Sequence, residues 1–226
     1  MRIIIMAGGE SKRWNNYKGS PKHFVSIGGE CLIYRTITQV KEYGEVVVVT
    51  PPLNEIDSIW EAFIKTCDMV DCIQSKRIGT ASLYELYYTK IWDSKSRNIV
   101  LLGDVYFTDE AIDKIINHNE DNYTFIGREG KSKATGLKYG ELWGLSFLPS
   151  SIQFITYNMG RVRDLYQNKV ISRCTGWEIY KLLQGIPFGT HSIKGNFLEI
   201  NDLTEDFDTP QDYEDWIKVY ENIPTK

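Results

Sequence analysis

Long apolar runs are missing from this 226-residue chain. None approaches the ~18 residues that a membrane-spanning helix requires. The N-terminal stretch Met1-Arg2-Ile3-Ile4-Ile5-Met6-Ala7 is too short for a signal peptide with its cleavage site, so a cytoplasmic protein is expected. The four cysteines, Cys31, Cys67, Cys72 and Cys174, form no Cys-x-x-Cys pair and do not cluster with histidine. That counts against a zinc site and fits reduced, buried thiols. A basic excess is also missing: 26 basic against 30 acidic residues leave a net charge of −4, which counts against a general nucleic-acid binder. A small anionic ligand is not excluded, because it needs only a few local cations. Neither G-x-G-x-x-G after the first strand nor G-x-x-x-x-G-K-[ST] occurs, which argues against a dinucleotide-dependent dehydrogenase and a P-loop ATPase.

What is present is enough chain to bury roughly 70% of its unfolded surface, so no staple is needed and one domain over residues 1–226 is expected. Apolar β-rich runs at Arg2–Met6, Glu45–Thr50, Asp71–Gln74, Asn98–Gly103 and Tyr123–Gly127 alternate with helix patterns. Those patterns cover Leu32–Tyr43, Ile56–Thr66, Ser82–Trp92 and Glu110–Asn117. Such alternation predicts βαβ units and a mostly parallel sheet with helices on both faces. Tyr84, Tyr87, Tyr88 and Trp92 fall on one helical face and read as core. After Gly127 the alternation breaks. Arg128–Tyr139 reads as a polar loop, Glu141–Phe147 as a strand, and Gly176–Leu183 as a helix. Phe188–Ile193 and Asn196–Ile200 read as short strands. Pro210–Tyr220 reads as a closing helix capped by Thr209.

The strongest chemical signal follows the first strand: Met6-Ala7-Gly8-Gly9-Glu10-Ser11-Lys12-Arg13, then Pro21-Lys22-His23-Phe24 and Ile27-Gly28-Gly29. Glycines at a strand end let backbone N–H groups approach a phosphate. Arg13 and Lys22 add a bidentate grip and a point charge to the same loop. Gly103-Asp104 closes another strand, at the edge where open α/β sheets bind ligands. Asp206-Phe207-Asp208-Thr209-Pro210 places two carboxylates that share a direction if the chain is extended. Lys76 to Ser82 carries small residues at a helix start, where N–H groups are exposed and a ring has room.

These segments resemble the nucleotidyltransferases with the GT-A-like α/β fold. Ala7, Gly8, Gly9, Ser11, Arg13, Pro21, Lys22, Gly29, Leu32 and Ile33 match that family's N-terminal signature. Leu101–Phe107 resembles its G-D-x-x-F strand, and Asp206–Tyr213 its D-x-D-T-P-E-D tail. The resemblance implies a Rossmann-like sheet with a small mixed α+β acceptor-binding insertion. A nucleotide half would occupy about 1–127, an acceptor region about 128–200, and a metal-binding tail with the closing helix 201–226. It also implies Mg²⁺ on Asp104 with Asp206 or Asp208, Asp202 and Glu199 remaining open. Ala7, Gly8, Gly9, Arg77, Gly79, Thr80, Ala81 and Ser82 would hold the nucleotide.

The expected reaction transfers a nucleotidyl group from a nucleoside triphosphate to a phosphomonoester and releases pyrophosphate, with Arg13 and Lys22 as the catalytic cations. The Pro-Lys-His-Phe stretch resembles cytidylyltransferases, whereas Ala-Gly-Gly-x-Ser-x-Arg resembles the molybdenum-cofactor guanylyltransferases. CTP is the first choice of donor, for a sugar, polyol or amino-alcohol phosphate of polysaccharide assembly. Lys131, Lys133 and Lys138 form a basic loop cluster, and Lys138 and Glu141 are acceptor candidates. No catalytic histidine is assigned to His23, His118 or His191. The other readings are a non-catalytic nucleotide-binding regulatory domain and a GT-A glycosyltransferase. The second is disfavoured by Tyr106 where an Asp-x-Asp would place its second carboxylate. The expected partners are the two substrates, without nucleic acid or a membrane span, and self-association into a homo-oligomer is left open.

Overall fold

The computed structural model describes residues 1–75, 91–119 and 122–222. The expected nucleotide contacts of Arg77, Gly79, Thr80, Ala81 and Ser82, and the helix face of Tyr84, Tyr87 and Tyr88, lie outside these residues. Ile91 and Trp92, which were expected to end that helix, are described and are not helical.

The strands of the central sheet are β1 (Arg2–Met6), β4 (Glu45–Thr50), β5 (Asp71–Gln74), β6 (Asn98–Leu102), β8 (Tyr123–Arg128), β9 (Glu141–Phe147) and β10 (Phe197–Glu199). Their order is β10-β8-β9-β6-β1-β4-β5. All neighbours run parallel except β9, which is antiparallel to both β6 and β8. Two short antiparallel pairs stand apart: β2 (Ser26–Ile27) with β3 (Glu30–Cys31), and β7 (Val105–Tyr106) with β11 (Glu205–Asp206).

Strand alternation sorts the apolar side chains into two cores. Ile3 and Ile5 of β1, Val46 and Val48 of β4, and Ile99 and Leu101 of β6 pack on one face. Ile4, Met6, Val49 and Val100 pack on the other. On the first face lie α1 (Leu32–Val40), α2 (Ser58–Thr66) and α3 (Asp109–Asn117). On the second lie α4 (Ile152–Gln167) and α5 (Gly176–Gln184). The predicted sheet with helices on both faces is therefore observed, and residues 128–200 contribute β9 and β10 to it.

Helix starts follow local chemistry. Asp57 accepts from the backbone N–H groups of Ile59 (3.0 Å) and Trp60 (2.9 Å), and Thr108 from that of Ala111 (3.0 Å). The closing helix α6 (Pro210–Glu221) starts on a capping box between Thr209 and Asp212.

Two expectations differ from the structure. Phe188–Ile193 is irregular: it turns through the Thr190 N–H to the Pro187 carbonyl (2.9 Å), and the Lys181 ammonium takes the Phe188 carbonyl (2.9 Å), so no strand partner is offered. The long helix α4 has no counterpart in the sequence reading. It buries Ile155, Met159 and Val162 but exposes Phe154 and Tyr157, which blurs its apolar stripe.

A third, mostly aromatic core positions the site. Trp14, Val25, Ile27 and Leu32 from the N-terminal segment pack with Tyr106 and with Phe207, Tyr213 and Trp216 from the tail. The Trp14 indole N–H donates to the Ser20 carbonyl (2.8 Å), and the Tyr213 hydroxyl donates to the Ser26 carbonyl (3.0 Å). Burial of these large rings, each worth about 1.5–3 kcal/mol or more, fastens the loop after β1 to the chain's end.

Candidate active site

The chain runs outward from β1 to β4 and β5 on one side, and the next strand, β6, then lies on the other side of β1. This reversal opens a crevice at the carboxyl ends of β1 and β6. Gly103 turns the chain there without a side chain: a Cβ would stand 3.0 Å from both the Ala7 Cβ and the Met6 carbonyl oxygen. Asp104 follows directly. β11 then brings the tail alongside, with Asp206 paired to Val105 and the Phe207 N–H donating to the Asp104 carbonyl (3.1 Å). Segments some hundred residues apart in sequence thus deliver their carboxylates to one place.

The crevice is part of a cavity of about 670 Å³. Gly9, Arg13, Lys22, Asp104, Glu141, Asp206 and Asp208 all line it. Ala7 and Gly8 are buried behind the lining, with the Ala7 N–H bonded to the Val49 carbonyl (2.9 Å). Ser11, Asn15, Asn16 and Lys18 hold left-handed backbone, a strained loop of the kind found at ligand sites.

Lys22 differs from a solvated loop lysine. Its side chain is 7% exposed; it pairs with Asp104 and stands 3.4 Å from Asp208, which also pairs with Arg13. Burial works against the Lys22 charge, but Asp104 and Asp208 outweigh it and hold the ammonium above its ordinary pKa. For Asp104, burial is likewise outweighed by Lys22, and its carboxyl lies below the usual range.

Asp206 and Glu141 go the other way. Burial, then repulsion from Asp208, Asp104 and Glu205, pushes Asp206 up to about 8. Burial, then Asp206 and Asp208, pushes Glu141 up to about 9. Four carboxylates thus face two cations, Lys22 and Arg13, and two of the four protonate readily. Carboxylates in excess, each penalised by its neighbours, fit a hard divalent cation that takes oxygen ligands. Among the described residues no group of three His, Cys, Asp or Glu side chains forms a ready metal cage. An ion there would complete its shell from outside the protein, as one bound with substrate phosphates does.

Several expected residues lie elsewhere. Asp202 accepts from the Thr108 hydroxyl and the Thr204 N–H, both at 2.7 Å, and does not line the cavity. Glu199 accepts from the Glu129 N–H (2.7 Å) and is also outside the lining. Lys138 is exposed and outside it, and Lys133 donates to the Asn201 carbonyl (2.6 Å).

Sequence reasoning missed other lining residues: His23, Arg173, Trp177, Lys181 and His191. His23 is 2% exposed, and its Nδ1 has no hydrogen-bond partner. Burial, with a further push from Lys22, drives it down to about 4 against the pull of Asp104. Its place beside Lys22 in the motif was the available signal; for Arg173, Lys181 and His191 there was none.

Residues 3–144 match the model of a known family, the MobA-like NTP transferase domain. The chain belongs to that family. This MobA-like protein is a nucleotidyltransferase, as its N-terminal motif led one to expect. Solved structures share its fold at low identity. CTP:phosphocholine cytidylyltransferase from Streptococcus pneumoniae aligns at a TM-score of 0.57 and 16% identity, over 97% of this chain and 98% of its own. 4-Diphosphocytidyl-2C-methyl-D-erythritol synthase from Anaerococcus prevotii aligns at 0.60 and 12%, over 98% and 97%. HddC from Yersinia pseudotuberculosis aligns at 0.57 and 17%, over 97% and 99%. No curated protein matches the chain in sequence. Among the described residues no helix is long and apolar enough to cross a membrane.

Proposed function

We propose that the MobA-like protein transfers the nucleotidyl group of a nucleoside triphosphate, CTP by preference, to a phosphomonoester and releases pyrophosphate. The observation that carries this reading is the meeting of Lys22 and Arg13 with Asp104, Asp206 and Asp208 in one cavity at the sheet edge. Each ion pair there joins a residue suited to phosphate to a residue suited to a cation. A magnesium–triphosphate complex brings both counterparts, so its binding exchanges ion pairs rather than stripping them.

The acceptor phosphate is the nucleophile. It is ionised at pH 7, since a phosphomonoester's second pKa is about 6, and it needs no general base. One of its oxygens bonds to the α-phosphorus as the bond to the bridging oxygen of the leaving pyrophosphate breaks. The backbone N–H at Gly9, with Arg13, binds the β- and γ-phosphates. Lys22 points its charge at the α-phosphate, where two anions must approach and charge builds up. Asp104 with Asp206 or Asp208 would hold Mg²⁺, which when bound supplies Lewis-acid stabilisation of phosphoryl oxygens. Glu141, on the cavity wall, would bind an acceptor hydroxyl or amine.

CTP is favoured by the Pro-Lys-His-Phe loop and by the cytidylyl groups in the names of two of the structural neighbours. GTP is the second reading, supported by the Ala-Gly-Gly-Glu-Ser-Lys-Arg loop and by the family match. Comparing kcat/KM for pyrophosphate release with CTP, GTP, UTP and ATP, over sugar, polyol and amino-alcohol phosphates, tests the proposal. The expected result is at least a tenfold preference for CTP. Preference for another nucleotide would overturn the donor, and no release with any pair would overturn the activity.

A further inference from the structure

The cavity continues beyond the carboxylate cluster along the start of α5, where Arg173, Thr175, Gly176, Trp177, Glu178 and Lys181 line it together with His191. The charge on this stretch is of the opposite kind. Its one carboxylate, Glu178, is spent on the helix cap, accepting from the Thr175 N–H (3.1 Å) and hydroxyl (2.5 Å). Arg173 is exposed, with no partner among the described residues. The Lys181 ammonium gives one N–H to the Phe188 carbonyl and keeps two. None of Arg173, Lys181 and His191 is among the groups that act most strongly on Asp206 or Glu141.

Trp177 is half-buried in the same wall, and its ring is fixed by T-shaped contacts to His191 (4.8 Å) and Tyr180 (5.7 Å). A tryptophan face by itself would also attract an ammonium group. The deciding feature is that, among the described residues, this stretch holds no uncommitted carboxylate to accompany it, while Arg173 and Lys181 place two cations there.

We propose that this end of the cavity receives the part of the acceptor remote from its phosphate, and that this part is hydroxylated and carries a second anionic group, a carboxylate or a phosphate. The assignment rests on the nucleotidyl-transfer reading and narrows its acceptor. Arg173 supplies a fork that matches a carboxylate or phosphate in two hydrogen bonds. Lys181 adds a point charge with two available donors. Trp177 lies against the apolar face of the hydroxylated chain or ring. An acceptor ending in a quaternary ammonium meets like charge instead.

Calorimetric titration of the full chain, with Mg²⁺ and a non-hydrolysable CTP analogue bound, tests this with four small probes. These are 3-phosphoglycerate, 1,3-propanediol bisphosphate, glycerol 3-phosphate and phosphocholine. The expected result is that 3-phosphoglycerate or the bisphosphate binds about tenfold more tightly than glycerol 3-phosphate, with phosphocholine weakest. The tighter of the two identifies the anion. In Arg173→Gln/Lys181→Met that advantage disappears, a thermal melt serving as the control for folding. Phosphocholine binding most tightly, an anion preference that survives the double substitution, or no probe binding beside a bound nucleotide would each overturn the assignment. Failure of the nucleotide itself to bind would overturn the nucleotidyl-transfer reading instead.

Discussion

Two nearly buried ion pairs lie close together in this protein and do different work. Arg128 and Glu205, 2% and 0% exposed, meet at 3.1 Å behind the cavity wall. Glu205 also accepts from the hydroxyls of Ser132 and Thr135, and the Arg128 guanidinium lies 5.6 Å from the Trp143 ring. This pair is balanced in charge, and it ties the 129–139 loop to β11. Lys22 and Asp104 also pair, but in the cavity lining, beside the Arg13–Asp208 pair and with Asp206 and Glu141 as surplus carboxylates. Glu205 and Asp206 are consecutive, and strand alternation sends them to opposite sides. A closed, balanced network fixes geometry; an open, unbalanced one is suited to exchange partners with a ligand.

The largest effects are expected on the open side. Lys22→Ala should lower turnover about 10²–10³-fold, the usual loss when one preorganised charge donor is removed. It should also lower the melting temperature, because Asp104 loses the partner of its buried charge. Asp206→Asn should abolish most activity while leaving thermal stability unchanged or raised, since it removes a carboxyl that its neighbours push up to about 8. Loss of both activity and stability in Asp206→Asn would erase the contrast between the two networks.

The closed pair should behave the other way. Arg128→Met leaves Glu205 uncompensated and should cost about 3–5 kcal/mol in denaturant unfolding. Arg128→Met/Glu205→Met should recover much of that loss. If the double variant is no more stable than the single one, the pair is not the unit described here.

A smaller effect is set by His23. Its folded pKa, about 4, lies below the ordinary value of 6.5. Between those values the unfolded chain binds more protons than the folded one, so His23 makes stability rise with pH across that window and fall as acid is added. The full contribution is about 3 kcal/mol. Asp104 and Lys22 are the charged groups acting on the ring. The unfolding free energy of His23→Gln should therefore depend less steeply on pH between about 4 and 6.5. An identical pH profile for the two proteins would show that His23 is not held neutral.

Legibility in the sequence followed the same division. The loop after β1, Asp104 and the tail were readable because each is a short segment whose spacing carries its own chemistry. The sheet and most first-half helices were readable from apolar periodicity, and the Thr209 cap from local pairing. What tertiary structure creates was hidden. Lys22 read as a phosphate-binding cation of the loop, but its burial to 7% exposure and its pairing with Asp104 were not visible in the sequence. Phe188–Ile193 read as a short strand joined to the next through Gly195, but no neighbouring strand accepts it. Arg173, Trp177 and Lys181 carry no motif, and only the fold brings them to the cavity that also contains Gly9 and Asp104.

The central claim is that the unbalanced side performs nucleotidyl transfer. Pyrophosphate release, measured for the native chain beside Lys22→Ala and Asp206→Asn with Mg²⁺, CTP and the acceptor panel, tests it most directly. The account predicts release by the native chain only when metal, triphosphate and phosphomonoester are all present, with both variants near background. Equal release by the variants, or none from the native chain with any donor and acceptor, would contradict it.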